Sequence, residues 1–150
     1  MKTRSIVVGV VLGVSALSAC GGSSTAGSSS SAGGSSSAAT AGAAAVELVD
    51  VAAGQKLVAD PGVTVIDVRT PEEFAAGHIA RAQVVDFRAA DFAERIGELD
   101  RNTPYFVYCH SGNRSGRATA LMHELGFTTV YDLQGGITAW TAAGAPVTTD

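Results

Sequence analysis

The sequence feature that most constrains the fold is a polar turn between an apolar run and a helical pattern. The apolar run covers Tyr105–Tyr108, and the turn covers residues 109–115, CHSGNRS. Beyond the turn, apolar residues repeat at the spacing of one helix face: Ala118, Leu121, Met122 and Leu125. Gly126 follows where a left-handed C-terminal cap would fall. We therefore expect a strand, a tight turn and a helix that begins near Ser115.

Cys109 is the first residue of this turn, so its thiol is expected at the N-terminus of the helix. Backbone N–H groups and the positive end of the helix dipole stabilise a thiolate there and can hold an anion. Arg114, five residues later, adds a positive charge able to hold an oxyanion through two N–H groups. A Cys and an Arg at this spacing are weak evidence by themselves, because many chains carry such a pair by chance.

The same strand-then-helix order recurs through residues 46–150. Strand candidates are 46–49, 63–68, 83–87, 105–108 and 128–133. Helix candidates are 51–59, 71–77, 89–99, the helix after the cysteine turn and 137–143. The alternation predicts an α/β domain with a central, mostly parallel five-stranded sheet covered by helices on both faces. Ligands bind at the carboxyl ends of such strands, where Asp67, Arg69 and Cys109 are expected.

The first 20 residues have the three parts of a secretory signal. Residues 1–4 are basic, residues 5–16 are mostly apolar, and residues 17–20 read LSAC. The apolar part is shorter than the roughly 20 residues that a membrane-spanning helix needs. LSAC resembles the lipobox of bacterial lipoproteins, which implies that Cys20 is lipidated and becomes the first mature residue. An ordinary cleavable signal with an unmodified Cys20 is the alternative.

The lipobox resemblance implies acyl chains such as palmitate on Cys20 and an anchor on the extracytoplasmic face of the cell membrane. Residues 21–45 are all Gly, Ser, Ala or Thr, which is typical of a flexible tether about 25–30 Å in span. We thus expect a signal peptide over residues 1–19, a lipidated cysteine and tether over 20–45, and a globular domain over 46–150.

Charge and cysteine content limit the partners of the mature chain. Without residues 1–19 the chain has 8 basic and 14 acidic side chains, a net charge of −6, so we expect no nucleic-acid partner. With Cys20 lipidated, Cys109 is the remaining thiol and has no cysteine to pair with. Its place on a polar turn favours a reactive group over an inert core residue. No paired ligand spacing indicates a metal; we expect no cofactor and a monomer.

Three ordered motifs resemble the single-domain rhodanese-like sulfurtransferases. They are residues 66–74 with 77–79 (IDVRTPEEF and GHI), residues 107–115 (VYCHSGNRS), and Leu133 with Gly135, Gly136 and Trp140. The resemblance implies an α/β fold with a central parallel sheet. It also implies a cysteine that takes a sulfane sulfur from a donor such as thiosulfate, forms a persulfide, and passes the sulfur to a thiol or cyanide.

Carried over by position, Cys109 is the nucleophile and persulfide carrier. The resemblance implies substrate-binding roles for His110, Ser111, Gly112, Asn113, Arg114, Asp67 and Arg69. The chemistry agrees, because attack on a sulfane sulfur needs a thiolate and the persulfide anion needs hydrogen-bond donors. Asp67 and His78 are better interpreted as structural hydrogen-bonding residues than as an acid–base group and a metal ligand. Arg81 stands where the family commonly has glycine, which costs about 1 kcal/mol or more if the turn has positive φ.

Two other functions compete with sulfur transfer. A phosphatase or arsenate reductase also uses a thiolate, an amide cradle and an Arg, but places five residues between Cys and Arg, whereas four intervene here (110–113). A membrane-tethered sulfur carrier or redox-sensing module would keep both Cys109 and Arg114. Turnover separates the last alternative from an enzyme, because a carrier stops after one equivalent of sulfur.

Overall fold

The computed structural model describes residues 45–150, in which five strands form one sheet in the order β1-β5-β4-β2-β3. The elements in chain order are β1 (Ala45–Val49), α1 (Val51–Ala59), β2 (Thr64–Asp67), α2 (Pro71–Ala75), β3 (Gln83–Val84), α3 (Phe92–Gly97), β4 (Tyr105–Tyr108), α4 (Asn113–Glu124), β5 (Thr129–Leu133) and α5 (Gly136–Ala142). Every strand pairing is parallel. The predicted fold class is confirmed. The predicted signal peptide, Cys20 and nearly all of the tether lie outside the described residues.

Two apolar clusters cover the two faces of the sheet. On one face, α3 and α4 contribute Phe92, Ile96, Ala118 and Met122 to a cluster with Val107 and Val130. On the other face, α1 and α5 cover Phe106 and Tyr108 with residues that include Leu57, Ile137 and Trp140. β4 is buried on both faces, which explains why its sequence is a continuous apolar run without alternation, and β2 is buried from Val65 to Asp67.

Several element boundaries differ from the predicted ones because turns interrupt the pattern. β3 ends at Val84 instead of residue 87, since the chain turns at Asp86, whose carboxylate accepts the N–H of Arg88 at 2.8 Å. α3 begins at Phe92 instead of residue 89. α4 begins at Asn113, two residues earlier than expected, because Gly112 (φ 97°) adopts the left-handed conformation that starts the helix.

None of the helices within residues 45–150 combines the length and the apolar character needed to cross a bilayer.

Arg81 has φ of 66°, so the turn has the positive φ that makes glycine the favoured residue there. Its guanidinium donates to the carbonyl oxygens of Val58 (2.7 Å), Asp60 (3.0 Å) and Val63 (3.4 Å). These carbonyls lie at the C-terminal end of α1 and just beyond it, where backbone acceptors have no partner within the helix. The side chain therefore offsets the strain of its own backbone by capping α1.

Substitutions of Arg81 separate the strain from the cap. Arg81→Ala keeps the strain of the positive φ and loses the cap, whereas Arg81→Gly removes both the strain and the cap. We expect Arg81→Ala to be less stable than Arg81→Gly by about 1 kcal/mol, the cost of positive φ for a residue with a Cβ. Urea denaturation measures the free energies of unfolding, and we expect the native protein to be at least as stable as Arg81→Gly. A glycine variant clearly more stable than the native protein would mean that the cap contributes less than the positive φ costs.

Candidate active site

Cys109 follows β4 directly and lies buried, with 1% of its surface exposed, beneath the first turn of α4. Its Sγ accepts the backbone N–H of Gly112 at 3.1 Å. Burial raises the pKa of the thiol, but hydrogen bonds from the backbone and hydroxyl of Ser115 and from the N–H groups of Ser111 and Gly112 lower it by more, so the pKa lies below its ordinary value. The site therefore favours a thiolate held by backbone donors.

The N-terminus of α5 donates hydrogen bonds to backbone carbonyls of the cysteine loop. The N–H of Ile137 donates to the carbonyl of Cys109 at 2.9 Å, and the N–H of Thr138 donates to the carbonyl of His110 at 3.1 Å. The Thr138 hydroxyl donates to the same His110 oxygen at 2.8 Å. The first N–H groups of α5, which have no partner within the helix, thus donate to carbonyls of the cysteine loop. Because the loop directs these carbonyls at α5, its own N–H groups point toward the sulfur.

Gly136 makes this close approach possible. Its φ is 60°, and a Cβ built at this position would lie 2.5 Å from the carbonyl oxygen of Cys109 and 2.7 Å from the carbonyl of His110. No side chain fits in that space without moving the loop. The sequence signal for this close approach is the Gly-Gly pair before a short helix. That pair belongs to a sequence motif in which no role is assigned to the glycines.

Arg114 pairs with Glu73 through two parallel hydrogen bonds. Nη1 and Nη2 donate to the two carboxylate oxygens at 2.7 Å each. Glu73 also closes the capping box of α2, since its carboxylate accepts the N–H of Thr70 at 3.2 Å. From the sequence we expect Arg114 to be able to hold an oxyanion through two N–H groups. In this structure its two terminal nitrogens donate to the carboxylate of Glu73.

The Glu73 carboxylate is strongly stabilised in its charged form. The hydrogen bonds from Arg114 lower the pKa of Glu73 to about 2, with a further contribution from the N–H of Thr70. In the sequence Glu73 is one of two acids that follow Pro71, and nothing there indicates this partnership. The pair links α2 to α4 across 41 residues and fixes the outer side of the cysteine loop.

Asp67 and Arg69 form a buried salt bridge next to the cysteine loop. The Arg69 guanidinium donates to the Asp67 carboxylate at 2.6 to 3.0 Å and to the carbonyl of Gly77 at 2.8 Å. It also lies over the ring of Tyr108, whose hydroxyl accepts the N–H of Ile79. These contacts connect β2, β4 and the chain after α2, and the substrate-binding role of Asp67 and Arg69 stays a prediction.

The remaining predicted loop residues face outward. His110, Ser111 and Asn113 are exposed at the rim of the site, and Gly112 is half-buried. His78 is buried, stacks on Phe74 with ring centroids 3.7 Å apart, and places Nδ1 3.1 Å from the carbonyl of Phe74. No cluster of three metal-ligating side chains occurs in the part of the chain that the structure describes.

Comparison with known proteins identifies the family. The model of the rhodanese-like domain matches residues 50–143, which include both sides of the site just described. The chain belongs to the rhodanese-like family. Two similar relatives are a thiosulfate sulfurtransferase GlpE of Pseudomonas putida F1, 42% identical over 54% of this chain and 72% of that protein, and a sulfurtransferase of Allochromatium vinosum, 33% identical over 67% of this chain and 92% of that protein.

Solved structures of rhodanese-like proteins share the fold. A crystal structure of a rhodanese-related protein from Thermoplasma volcanium superposes with a TM-score of 0.62 at 31% identity, covering 69% of this chain and 99% of that one. The rhodanese-like domain here therefore comprises essentially the whole of such a protein.

The ion pair between Glu73 and Arg114 should make the stability of this rhodanese-like domain depend on pH. Because the pKa of Glu73 is lowered to about 2, its contribution to stability is present above its ordinary value of 4.5 and is lost as pH falls toward 2. Glu73→Gln should lower the free energy of unfolding at pH 7 by about 1 kcal/mol. It should also make the free energy of unfolding fall less steeply as the pH is lowered. Urea denaturation between pH 7 and pH 2.5 measures both effects. The same acid decline in Glu73→Gln as in the native protein would contradict the assignment.

Proposed function

We propose that the protein is a sulfurtransferase that carries a sulfane sulfur as a persulfide on Cys109. The observation that carries this proposal is the position of Sγ, which lies at the N-terminus of α4 and accepts backbone N–H groups. A persulfide extends from the same sulfur and spreads the same negative charge, so donors arranged for a thiolate also serve the intermediate. The sulfurtransferase names of the relatives support the proposal.

The reaction has two displacements on sulfur. The Cys109 thiolate attacks the outer sulfur of a donor such as thiosulfate, a new S–S bond forms, and the donor's S–S bond breaks so that sulfite leaves with the electron pair. In the second step a thiolate or cyanide attacks the outer persulfide sulfur, and Cys109 leaves as a thiolate. In each step one bond to the transferred sulfur forms while another breaks, so the electrons balance without an added oxidant, and fixed hydrogen-bond donors serve the negative charge on sulfur.

Backbone dipoles supply most of the stabilisation in this proposal. Arg114 is neutralised by Glu73, and each terminal nitrogen already donates to a carboxylate oxygen. The uncompensated donors next to the sulfur are the N–H groups of the loop and the first turn of α4. Such donors are fixed before the reaction begins, which makes them effective for charge that develops on sulfur.

We further propose that the domain works outside the cytoplasm, anchored through acyl chains on Cys20. This proposal rests on the three-part amino terminus, the LSAC tetrad and the uncharged residues 21–45. Labelling with a radioactive or clickable fatty acid tests it, with Cys20→Ser as the control that should lose the label.

Mass spectrometry tests the sulfur-transfer proposal directly. Thiosulfate should add about 32 mass units to Cys109 and cyanide should remove them, while repeated addition of both should release thiocyanate continuously. Trypsin frees Cys109 on a peptide of residues 102–114, which locates the added sulfur. Loading without turnover would favour a carrier or sensor. Turnover of a phosphate ester or arsenate without sulfur loading would replace the proposal by a phosphatase or reductase.

A further inference from the structure

Arg117 on α4 carries a positive charge to which the reaction described above gives no role. The residue is exposed, and its guanidinium lies over the ring of Phe87, with Cζ 5.1 Å from the ring centroid. The salt bridges within residues 45–150 belong to Arg69 and Arg114, so no carboxylate among these residues pairs with Arg117. A cation held on an aromatic face keeps its N–H groups and its charge available to an anion.

The sheet places Phe87 on the same side as the reactive cysteine. The N–H of Phe87 donates to the carbonyl of Val68 at 3.3 Å, and the N–H of Val68 donates to the carbonyl of Tyr108 at 3.0 Å. One strand therefore separates Phe87 from the end of β4, a distance of about 10 Å at ordinary strand spacing. Phe87 also packs against the apolar cluster that contains Val68 and Cys109.

The direction of α4 brings the guanidinium toward the cysteine loop. Arg117 follows Asn113, the first residue of α4, by four positions, so the two residues lie on one face of the helix. Long side chains on a helix lean toward its N-terminus. That end of α4 is where Sγ of Cys109 accepts the N–H of Gly112. Arg117 thus leans over Phe87 and toward the end of the helix that holds the thiol.

The other arginines described near the thiol already bind carboxylates. Both terminal nitrogens of Arg114 donate to Glu73, and the guanidinium of Arg69 donates to Asp67. The whole chain has a formal net charge of −4, so its long-range field repels an anion. A doubly charged donor such as thiosulfate therefore gains from a local positive charge on its path to the sulfur.

We propose that Arg117 binds the negatively charged end of the sulfur donor while the donor's outer sulfur meets Cys109. The inference rests on the proposed function and adds a substrate class to it, namely donors with an anionic oxygen group next to the sulfane sulfur. In an in-line displacement the leaving group lies on the far side of the transferred sulfur from Sγ, away from the donors of the loop. A guanidinium there can hold two oxygens of the leaving group through parallel N–H groups.

Phe87 prepares Arg117 for this role. An arginine side chain free in solvent loses rotamer entropy when it binds an anion, and that loss weakens binding. Contact with the ring restricts the guanidinium before the donor arrives. Phe87 is itself held by an edge-to-face contact with Phe92, with ring centroids 5.0 Å apart. The bonds that form and break at sulfur are those already given, and Arg117 changes only how the donor is held.

Two alkylating reagents test the charge at the site without any sulfur donor. Iodoacetate and iodoacetamide have nearly the same size, and each transfers its CH₂ group to a thiolate with loss of iodide, but only iodoacetate is negatively charged. The ratio of their rate constants on Cys109 therefore cancels the pKa and the accessibility of the thiol. The full-length protein is treated at one fixed pH, and modification is followed on the tryptic peptide 102–114, which does not include residue 117.

Arg117→Gln should lower the iodoacetate-to-iodoacetamide ratio about fivefold, the size expected for one solvated ion pair. Arg117→Lys keeps the charge and should stay within about twofold of the native ratio. Lys56→Gln is the matched control, because it removes a positive charge at an exposed position of α1, on the other face of the sheet. Added salt should bring the native ratio toward that of Arg117→Gln.

Arg88 is the rival cation, since it is exposed and follows Phe87 directly in the chain. A fall in Arg88→Gln with no fall in Arg117→Gln would overturn the proposal, and so would equal falls in Arg117→Gln and Lys56→Gln. Thiosulfate gives the second arm: Arg117→Gln should load sulfur about fivefold more slowly at low thiosulfate. If the native protein loaded no sulfur while the alkylation ratio still fell, the proposed function would fail and the anion site would stand. Normal loading with an unchanged ratio in Arg117→Gln would sink the anion site and leave the proposed function intact.

Discussion

Replacing Cys109 with serine is expected to abolish sulfur transfer while the domain stays folded. Serine occupies nearly the same volume and can accept the N–H of Gly112 that now bonds to Sγ at 3.1 Å. Its hydroxyl ionises only far above neutral pH and forms no persulfide, so both displacement steps lose their nucleophile. We expect thiocyanate release to fall to background and the mass of the protein to stay unchanged in thiosulfate.

Cys20→Ser is the matched control for this prediction, because it removes the other cysteine of the chain and leaves Cys109 in place. It should load sulfur and release thiocyanate like the native protein. Since the Cys109 side chain is part of the apolar cluster under α4, the serine variant should lose about 1 kcal/mol of stability, which urea denaturation measures. Thiocyanate release that survives in Cys109→Ser would place the sulfur on another group and refute the mechanism.

The fold could be predicted from sequence because its signals are local. Residues 63–68 are rich in β-branched side chains, as expected for a buried strand, and Thr64–Asp67 forms β2. Asp50 stands directly before the helix candidate 51–59, and its carboxylate caps α1 by accepting the N–H of Ala53 at 2.8 Å, a role that Asp commonly has at this position. The carboxyl ends of β2 and β4 lie side by side because the strands are parallel neighbours, which brings Asp67 next to the cysteine loop.

The contacts that shape the site could not be predicted, because they join residues distant in sequence. Glu73 reads as an ordinary first-turn acid until α2 packs close enough for Arg114 to reach it. Asp132 is a charged residue among the apolar residues of its strand, which by itself indicates a solvent-facing side chain, yet it is buried against α4. Arg81 was recognised as a departure from the family pattern, but its capping of α1 depends on three-dimensional proximity.

The second large effect is expected at Gly136, where replacement by alanine should damage both stability and activity. A Cβ at this position would lie 2.5 Å from the Cys109 carbonyl oxygen, a distance that forces the loop or the start of α5 to move. Positive φ adds a cost of about 1 kcal/mol, and the displaced contacts should raise the total loss to about 3 kcal/mol. We also expect sulfur transfer to fall about 100-fold, because a displacement of about 1 Å in a reacting group has effects of this size.

Gly144→Ala is the matched control, because Gly144 has φ of 73° and nothing lies within 4 Å of the position that its Cβ would occupy. That variant carries the conformational cost alone and should retain normal sulfur transfer. The difference between the two variants in urea denaturation therefore measures the contact between α5 and the cysteine loop. Thiocyanate release normalised to folded protein shows whether that contact also shapes the site. If Gly136→Ala matched Gly144→Ala in both measurements, the thiol would be positioned by α4 alone, and the approach of α5 would be incidental to catalysis.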